Sequence, residues 1–393
     1  MDKETEKPVK AKVGTEKSED PQITPEEHEN SQEAVRPELP KYELSKEEKE
    51  VTAETTFTAE KSNGSVTVRF VFDGRKLEGK DLVAFEKIYL EKALVASHED
   101  LKDKGQTVYI PKIETTAKDK DSDTHNAVAR KEVTINDEVK YKNLIPGQEY
   151  KVSGILMDQK TEKPLLVDGK EVRAEKKFTP EKAEGSIVLS FTFDASNLEG
   201  ETLVVFEDLY KEDSKVAVHT DIKDESQSIH FPKIHTTATG EDGSHKISAN
   251  GKVTITDSVE YKNLIPGRKY MISGTIMDKT SGKALLVNGK EIKAEESFKA
   301  DKADGTEKVK FTFDASDLAG KELVVFEKIY DAETKKEVAN HEDLNDEGQT
   351  VQMLTPPKGK VQTGDSPILP IAIGAGVLLI GAGIFFIKKK KEK

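Results

Sequence analysis

The chain lacks cysteine and tryptophan altogether, and only 6% of its 393 residues are aromatic. The absence of cysteine excludes disulfide bonds, Cys-ligated zinc and thiol catalysis. Basic residues are also in deficit, because 61 Lys and Arg stand against 74 Asp and Glu and leave a net charge of −13. Nucleic-acid binding needs a basic surface, so this balance predicts no nucleic-acid partner.

Hydrophobic residues are scarce at the N-terminus. Residues 1–40 hold 17 charged side chains and only 8 residues from the set AVILMFWYC. Such a segment buries too little apolar surface to offset the entropy of ordering it, so we expect residues 1–48 to form a disordered charged tail. No basic stretch followed by an apolar one is present there, so no secretory signal is visible after Met1.

The C-terminus holds a long apolar run. Residues 368–387 are 20 residues without charge, and four lysines follow at 388–391. At about 1.5 Å per residue the run reaches about 30 Å, the thickness of a bilayer's hydrocarbon core. The pattern predicts a transmembrane helix over 368–387 and a basic cytoplasmic tail at 388–393, with a buried core helix as the alternative. Such an anchor requires export, so we expect the chain to be the C-terminal part of a longer protein, or its start to be misplaced.

The middle of the chain repeats with a period near 121 residues. The segment Ile113–Ala117 recurs at Ile234–Ala238, and Tyr141–Gly147 recurs at Tyr261–Gly267. A period of this length is the size of one small domain and is too long for a solenoid. The repeats predict the following organisation: a partial copy one at 49–110, copy two at 111–231, copy three at 232–354 and a linker at 355–367.

Each full copy is predicted to be all-β. Short runs that alternate apolar and polar residues dominate, such as Tyr150–Leu156 and Ile187–Phe193. The pairs Asp168–Gly169 and Asn288–Gly289 are typical of tight hairpin turns. Seven or more strands in about 120 residues indicate tandem immunoglobulin-like β-sandwiches.

Chemically reactive residue types recur in register in these copies. Each copy has a Glu after an apolar strand and a His, Asp and Gln cluster near its end, and the full copies add a Thr near their start. The residues are Thr115, Glu207, His219, Asp224 and Gln227 in copy two, Thr236, Glu327, His341, Asp346 and Gln349 in copy three, and Glu86, His98, Asp103 and Gln106 in copy one. Because side chains alternate along a strand, Thr115 and Thr236 are predicted to point inward with their apolar neighbours.

The threonine and glutamine allow two interpretations on residue types alone. A buried hydroxyl that faces a buried amide can be a hydrogen bond and nothing more. The nearby carboxyl and imidazole groups favour chemistry, because a Thr hydroxyl needs a base to act as a nucleophile and an amide nitrogen must be protonated to leave. Two carboxyl groups in a dry site tend to share a proton, which supplies one acid and one base.

The LVVFE strand, the TTA opening and the HxDxxDxxQ close resemble the VaFE-repeat, or ester-bond, domains of Gram-positive surface adhesins and pilin-like proteins. The resemblance covers residues 49–354 and implies a CnaB-like immunoglobulin fold. It also implies an autocatalytic Thr–Gln ester that joins the first and last strands and releases ammonia. The implied cross-links are Thr115–Gln227 and Thr236–Gln349, and the implied assisting groups are Glu207, His219 and Asp224, then Glu327, His341 and Asp346.

A metal site is the weaker alternative for the acidic residues. His98, Asp100 and Asp103 have ligand chemistry, and the segment Asp119–Asp123 looks like the start of a calcium loop. That loop lacks the Gly and the Glu that an EF-hand needs at its sixth and twelfth positions. We therefore expect no metal and no cofactor.

The segment Val361–Asp365, followed by the apolar run and the lysines, looks like a sortase cell-wall sorting signal, with Lys360 and Val361 in place of the usual Leu-Pro. The resemblance implies cleavage between Thr363 and Gly364 and transfer of Thr363 to peptidoglycan or a pilus subunit. A plain single-span membrane anchor is the alternative.

The features together favour a structural protein over an enzyme. We expect the stalk of a cell-surface adhesin, with sortase and the cell wall as partners, a membrane anchor and a surface ligand that the sequence does not identify. Its single-turnover self-cross-linking does not make it an enzyme. The alternative is the anchoring stalk of an extracellular enzyme whose catalytic domain is absent from this chain.

Copy one is expected to be an incomplete domain. It carries the Glu, His, Asp and Gln, but no TTA strand precedes them. We therefore expect no intramolecular ester in copy one, exposed apolar strand edges, and a face that accepts a complementary strand from another chain.

Overall fold

The computed structural model describes residues 1–16 and 42–356 of the chain. Within these residues the regular structure is almost entirely β, and the only helical elements are 3-10 turns at Arg75–Leu77 and Glu225–Gln227. The prediction of tandem all-β domains is therefore confirmed for the described residues.

Copy one is built from short paired strands. Its strands are β1 (Lys10–Ala11), β2 (Gly14–Glu16), β3 (Tyr42–Leu44), β4 (Lys49–Glu50), β5 (Asp81–Val83), β6 (Glu86–Leu90), β7 (Ala93–His98) and β8 (Thr107–Tyr109). They form four two-stranded sheets, β1–β4, β2–β3, β5–β8 and β6–β7.

Copy two folds as two antiparallel sheets around one core. Its strands are β9 (Lys112–Asp119), β10 (Val133–Lys142), β11 (Tyr150–Asp158), β12 (Lys163–Pro164), β13 (Leu166–Val167), β14 (Lys170–Glu171), β15 (Arg173–Phe178), β16 (Gly185–Phe193), β17 (Thr202–Lys211), β18 (Ser214–His219) and β19 (Ser228–His230). The smaller sheet has the order β16–β10–β9, and the larger one the order β12–β11–β17–β18, with β15 beside β11 and β19 beside β17.

Copy three repeats this arrangement with one added strand. Its strands are β20 (Lys233–Thr239), β21 (Lys246–Ser248), β22 (Lys252–Lys262), β23 (Lys269–Asp278), β24 (Lys283–Ala284), β25 (Leu286–Val287), β26 (Lys290–Glu291), β27 (Lys293–Lys299), β28 (Gly305–Asp314), β29 (Glu322–Asp331), β30 (Glu337–His341) and β31 (Thr350–Leu354). The smaller sheet is β20–β22–β28, and the added strand β21 pairs in parallel with β31 in the larger sheet.

The turn chemistry fixes the local geometry as the sequence predicts. Asp168 and Gly169 connect β13 to β14 with φ of +50° and +74°, and Asn288 and Gly289 connect β25 to β26 with +52° and +75°. Positive φ at both central residues is the geometry of a two-residue hairpin turn, which Asn, Asp and Gly tolerate best.

The core of each full copy lies between its two sheets, and copy one lacks the equivalent of the smaller sheet. Leu209 of copy two and Ile329 of copy three are completely buried, whereas their counterpart Ile88 in copy one is 44% exposed. Tyr89, Leu90 and Val108 of copy one are exposed to a similar degree. Copy one therefore exposes apolar side chains that the full copies bury.

The N-terminal segment differs from the expected disordered tail. β1 and β2 are paired with β4 and β3, and the amino group of Met1 donates a hydrogen bond to the carbonyl oxygen of Val83. The cause is a repeat that the period of 121 conceals, because Met1–Pro8 matches Met157–Pro164 at an offset of 156. Glu6 and Glu162 share the same turn, with φ of +55° and +56°. Copy one therefore includes residues 1–16 and 42–48 as well as 49–110.

Some predictions fall on residues outside the described ranges. These are the transmembrane helix at 368–387, the basic tail at 388–393, most of the linker at 355–367 and the sorting signal at Thr363 and Gly364. Within the described ranges, the structure contains no helix long and apolar enough to cross a bilayer.

Candidate functional site

The threonines lie on the inward face of the first strand of each full copy. Along β9, Ile113, Thr115 and Ala117 are buried while Glu114 is exposed, and β20 repeats the alternation around Thr236. The inward orientation predicted for Thr115 and Thr236 is confirmed. Both strands are edge strands of the smaller sheet, so their outer edge is free to meet the larger sheet.

The glutamines reach the same place from the larger sheet. Gln227 ends the 3-10 turn before β19, and Gln349 directly precedes β31. Gln349 Nε2 lies 2.6 Å from Thr236 Oγ1, and Gln227 Nε2 makes the same hydrogen bond to Thr115 Oγ1. The first and last strands are thus not partners in one sheet, since β9 pairs with β10 alone, and the Thr–Gln pair instead bridges the two sheets.

A glutamate from the LVVFE strand contacts both members of each pair. Glu327 Oε2 accepts hydrogen bonds from Thr236 Oγ1 at 3.1 Å and from Gln349 Nε2 at 2.9 Å. In copy two, Glu207 Oε2 accepts from Thr115 Oγ1 at 3.2 Å and from Gln227 Nε2 at 2.5 Å. The glutamates are buried, so each carboxyl group lies in a dry site beside a hydroxyl and an amide.

A second buried carboxyl group faces each glutamate, and the sequence analysis did not identify it. Burial and then the charge of Asp137 raise the pKa of Glu207 well above its ordinary value, and burial raises the pKa of Asp137 to about 6. In copy three burial raises the pKa of Asp257, and burial and then the contact with Asp257 raise the pKa of Glu327 well above its ordinary value. Each pair therefore retains a proton near neutral pH.

The orphaned polar atoms point to the same proton. Among the described residues, the buried carboxyl oxygens without a hydrogen-bond donor include both oxygens of Asp137 and of Asp257, and Oε1 of Glu207 and of Glu327. Buried acceptors of this kind are costly unless a donor is present. A proton held by each carboxyl pair supplies that donor.

A histidine and an aspartate complete the site. His341 Nδ1 lies 3.4 Å from Thr236 Oγ1, and its Nε2 lies 3.2 Å from Asp346 Oδ2. Burial lowers the pKa of His341, which favours the neutral imidazole that a base requires. The hydroxyl, imidazole and carboxylate thus stand in the order of a nucleophile, its base and the group that orients the base.

Copy two holds its aspartate more tightly. His219 Nε2 lies 2.8 Å from Asp224 Oδ2, and Asp224 Oδ1 accepts from Ser226 N and Ser226 Oγ at 2.8 and 2.7 Å. Burial alone would raise the pKa of Asp224, but these hydrogen bonds together outweigh it and lower that pKa.

Copy one holds the acid–base residues without the nucleophile. Gln106 Nε2 donates to Glu86 Oε2, and His98 Nε2 lies 3.1 Å from Asp103 Oδ2. Within residues 1–16 and 42–356, no threonine hydroxyl bonds to Gln106. These side chains are also more exposed than their counterparts, because nothing equivalent to β9 and β10 covers them.

The segment resembling a calcium loop is held by its own backbone. Asp119 Oδ2 accepts hydrogen bonds from the N–H groups of Asp121 and Ser122 at 3.2 and 2.7 Å. Asp121 forms an ion pair with Arg130. The acidic side chains of this segment therefore stabilise a turn through these contacts.

The missed aspartates have a sequence signal. Asp137 lies between Ile135 and Val139 at the period-two spacing of one strand face, and Asp257 lies between Ile255 and Val259 in the same way. An Asp at the same position on the buried face of a strand in both copies is a signal, because Asp is rarely fully buried without a partner.

Comparisons with known proteins agree with the repeats. The model of the family described as "T-Q ester bond containing domain" matches residues 5–110, 111–231 and 232–353. No curated protein matches the chain.

The comparison with solved structures found matches of low overall similarity. Two crystal forms of a bacterial adhesin from Mobiluncus mulieris, described as containing intramolecular disulfide, isopeptide and ester bond cross-links, are each 15% identical with a TM-score of 0.26, over 55% of this chain and 80% of theirs. A red sea bream transglutaminase is 13% identical with a TM-score of 0.22, over 63% of this chain and 32% of its own.

Proposed function

The chain belongs to the family of T-Q ester bond containing domains, and we propose that copies two and three each form one intramolecular ester between their threonine and glutamine. One observation carries the proposal. In each full copy a buried Thr hydroxyl contacts a buried Gln amide, and both touch a buried carboxyl group whose pKa is raised by burial. A hydrogen bond alone would not need the acid–base groups on either side of the pair.

The reaction is an acyl transfer that balances without a co-reactant. Thr236 Oγ1 loses its proton and bonds to Cδ of Gln349, and the bond between Cδ and Nε2 breaks. The nitrogen leaves as ammonia after gaining one proton, and this gain balances the one proton that the hydroxyl loses. The products are one ester and one ammonia for each copy.

The surrounding groups divide the proton transfers between them. His341 takes the hydroxyl proton through Nδ1, while Asp346 holds the opposite ring nitrogen and orients the ring. Glu327 contacts the leaving nitrogen, so the proton that it shares with Asp257 is available to that nitrogen. The same roles are proposed for His219, Asp224, Glu207 and Asp137 in copy two, where His219 Nδ1 makes no hydrogen bond within the residues that the structure describes.

Intact-protein mass tests the proposal. The wild-type chain is expected to be lighter than its sequence by two ammonia molecules, Thr236→Ala by one, and Thr115→Ala with Thr236→Ala by none. Thr237→Ala is the matched control, because Thr237 is the outward neighbour on the same strand and should leave both losses intact. A wild-type mass equal to the sequence mass would refute the ester, and a loss of three would place a further bond at Gln106.

We also propose that the copies form a stiff stalk of immunoglobulin-like domains of the CnaB kind. The supporting observation is a joint that occurs twice. Asn143 Nδ2 donates to the carbonyl oxygens of Lys80 and Ile110 and to Asp81, and Asn263 Nδ2 donates to the carbonyl oxygen of Glu201. Both asparagines belong to the repeated Asn-Leu-Ile-Pro-Gly segment and have positive φ.

The connections between the copies are equally short. Two residues, Ile110–Pro111, separate β8 from β9, and Phe231–Pro232 separate β19 from β20. Proline fixes φ, so both connections lose freedom in the same way. A tether of two residues closed by side-chain hydrogen bonds favours a fixed angle between neighbouring copies.

Removing the joint amide should loosen that angle. The absence of native cysteine lets spin labels be placed cleanly at Lys160→Cys and Lys308→Cys, which are exposed positions in copies two and three. Asn263→Gly keeps the backbone geometry and removes hydrogen bonds worth about 1 kcal/mol each. We expect a narrow distance distribution in the parent and a broader one in the variant, with both ammonia losses kept. An unchanged width would argue against a stiff joint.

The stalk is further proposed to project from the surface of a Gram-positive cell as part of an adhesin. The support is the sorting-signal pattern at Thr363 and Gly364 with the apolar run and lysines behind it. Sortase cleavage predicts that chain released from the cell wall ends at Thr363, still linked to a peptidoglycan or pilus fragment. A C-terminal peptide that continues past Gly364 in that fraction would contradict the anchoring.

A further inference from the structure

A cluster of metal-ligand side chains lies at the mouth of the copy three site. His235, His341 and Asp346 each present one donor atom, and these atoms all lie within 4.8 Å of one another. Of the residues that the structure describes, these form the one group of three with this geometry. His235 is exposed on β20 and has no part in the ester chemistry.

The spacing of His341 and Asp346 suits a small tetrahedral cation. Two ligand atoms at about 2.1 Å from zinc stand about 3.4 Å apart when the angle is tetrahedral. His341 Nε2 and Asp346 Oδ2 are separated by 3.2 Å. The ring of His235 lies 5.5 Å from that of His341, centroid to centroid, and is tilted by 43°. Two imidazoles and one carboxylate are a ligand set that zinc accepts, with water as the fourth ligand.

Neighbouring groups already hold the ligands in place. Asp346 Oδ1 accepts hydrogen bonds from the N–H groups of Gly348 and Gln349 at 2.6 and 3.2 Å, which fixes the carboxylate and turns Oδ2 toward the imidazole. The opposite nitrogen of His341 faces the Thr236 hydroxyl. Ligands anchored by second contacts of this kind bind metal more tightly.

We propose that His235, His341 and Asp346 form a binding site for a divalent transition-metal cation of the zinc class, with water completing its coordination.

Copy two provides a natural comparison. It keeps the matching His219 and Asp224, 2.8 Å apart, but has Glu114 where copy three has His235. Glu114 is exposed and forms an ion pair with Lys112, so it does not join the histidine and aspartate. The proposed site is therefore particular to copy three.

The site has a consequence that rests on the proposed ester function. A cation bound to His341 Nε2 takes the nitrogen that Asp346 otherwise holds, and it draws charge from the ring that accepts the Thr236 proton. Zinc should therefore slow ester formation in copy three and leave copy two unaffected.

Calorimetric titration of the untagged full-length chain with Zn²⁺, and Co²⁺ absorption as a second signal, test the site directly. We expect one ion per wild-type chain and binding at least tenfold weaker in His235→Ala. Glu114→His should add a second ion, because it builds the third ligand into copy two. Thr236→Ala should still bind one ion, since that site does not need the ester. No binding by the wild type, or equal binding by His235→Ala, would overturn the site.

A separate measurement tests the competition. The chain is made in a cell-free reaction with either Zn²⁺ or a chelator, and peptide mass follows the ammonia loss from each copy over time. A slower ammonia loss with Zn²⁺ in copy three alone supports the competition. If Zn²⁺ changes the ammonia loss of both copies equally, or of neither, the competition is refuted, and the titration still decides whether the site exists. If neither copy loses ammonia under either condition, the proposed ester is wrong and the metal site stands on its own titration.

Discussion

Pulled from its two ends, the wild-type chain is expected to release almost none of the polypeptide between residues 115 and 227 or between 236 and 349. The ester carries the force from the first strand of each copy to the last, because Thr236 and Gln349 lie 113 residues apart near the two ends of copy three. The segment inside the covalent loop bears no load. Unfolding under force then yields only the residues outside the loops.

Thr236→Ala opens one of these loops and should give the largest mechanical change. At about 3.3–3.6 Å per residue, the freed 113 residues extend to about 370–410 Å, less the short distance already spanned. Single-molecule pulling should therefore show one new step of this length in Thr236→Ala and two in the double variant with Thr115→Ala. Thr236→Ser keeps a hydroxyl and should remove the step again.

The same loop stabilises the folded state without force. Closing about 110 residues is worth about 4–5 kcal/mol in the chain-entropy model of a cross-link. In the full-length Thr236→Ala chain, hydrogen exchange should show copy three less protected than copy two. In Thr237→Ala the protection of copy three should equal that of the wild type. Equal protection, or a long extension step in the wild type, would mean that the bond is absent or bears no load.

Asp257→Asn should slow ester formation in copy three by at least about 100-fold, at the low end of what a positioned general acid contributes. The variant keeps the shape of the side chain and removes the carboxyl group with which Glu327 shares a proton. The pKa of Glu327 then falls, because Asp257 no longer raises it, and the donor to the leaving nitrogen is weakened. Ammonia loss from each copy, followed by peptide mass after refolding from denaturant, measures the rate.

Two controls separate this effect from damage to the fold. Copy two of the same chain should react at its normal rate, and Asp317→Asn, at an exposed position of copy three, should have no effect. An Asp257→Asn variant that cross-links copy three as fast as the wild type would remove Asp257 from the mechanism.

The wild-type rate should also depend on pH in a defined way. The carboxyl pair has raised pKa values, so its proton is present at neutral pH and is lost as the pH rises through them. His341 has a lowered pKa, so it stays neutral until the pH falls below its ordinary range. The rate should therefore be highest between these limits and fall on both sides. A rate that climbs steadily into alkaline solution would contradict the shared-proton acid.

Local pattern and repetition predicted much of this site. Alternation along Ile113–Ala117 places Thr115 on the buried face without any knowledge of its partner. The Glu, His, Asp and Gln occur at matching positions in all three copies, and this recurrence identified them as a set. The aspartates at 137 and 257 were missed because they recur only twice and lie in strands whose other residues read as ordinary core.

Composition gave a wrong prediction at the N-terminus. The charged composition of residues 1–40 predicted disorder, whereas Met1–Pro8 repeats the turn of Met157–Pro164 and pairs with copy one. Composition averages over a window, so it hides a short ordered segment beside a charged one. This match is also hidden by the repeat length, because its two segments lie 156 positions apart and the other repeated segments lie about 121 apart.

By itself the sequence determined the all-β class, the domain period and the identity of the residues that recur, because strand alternation and turn chemistry are local properties. Only the tertiary structure decided that the Thr and Gln meet between the two sheets, that a second carboxyl group shares the proton of each glutamate, and that His235 joins His341 and Asp346. These relations join residues about 70–120 positions apart. Their distances depend on how the sheets pack against each other, and no local pattern encodes that packing.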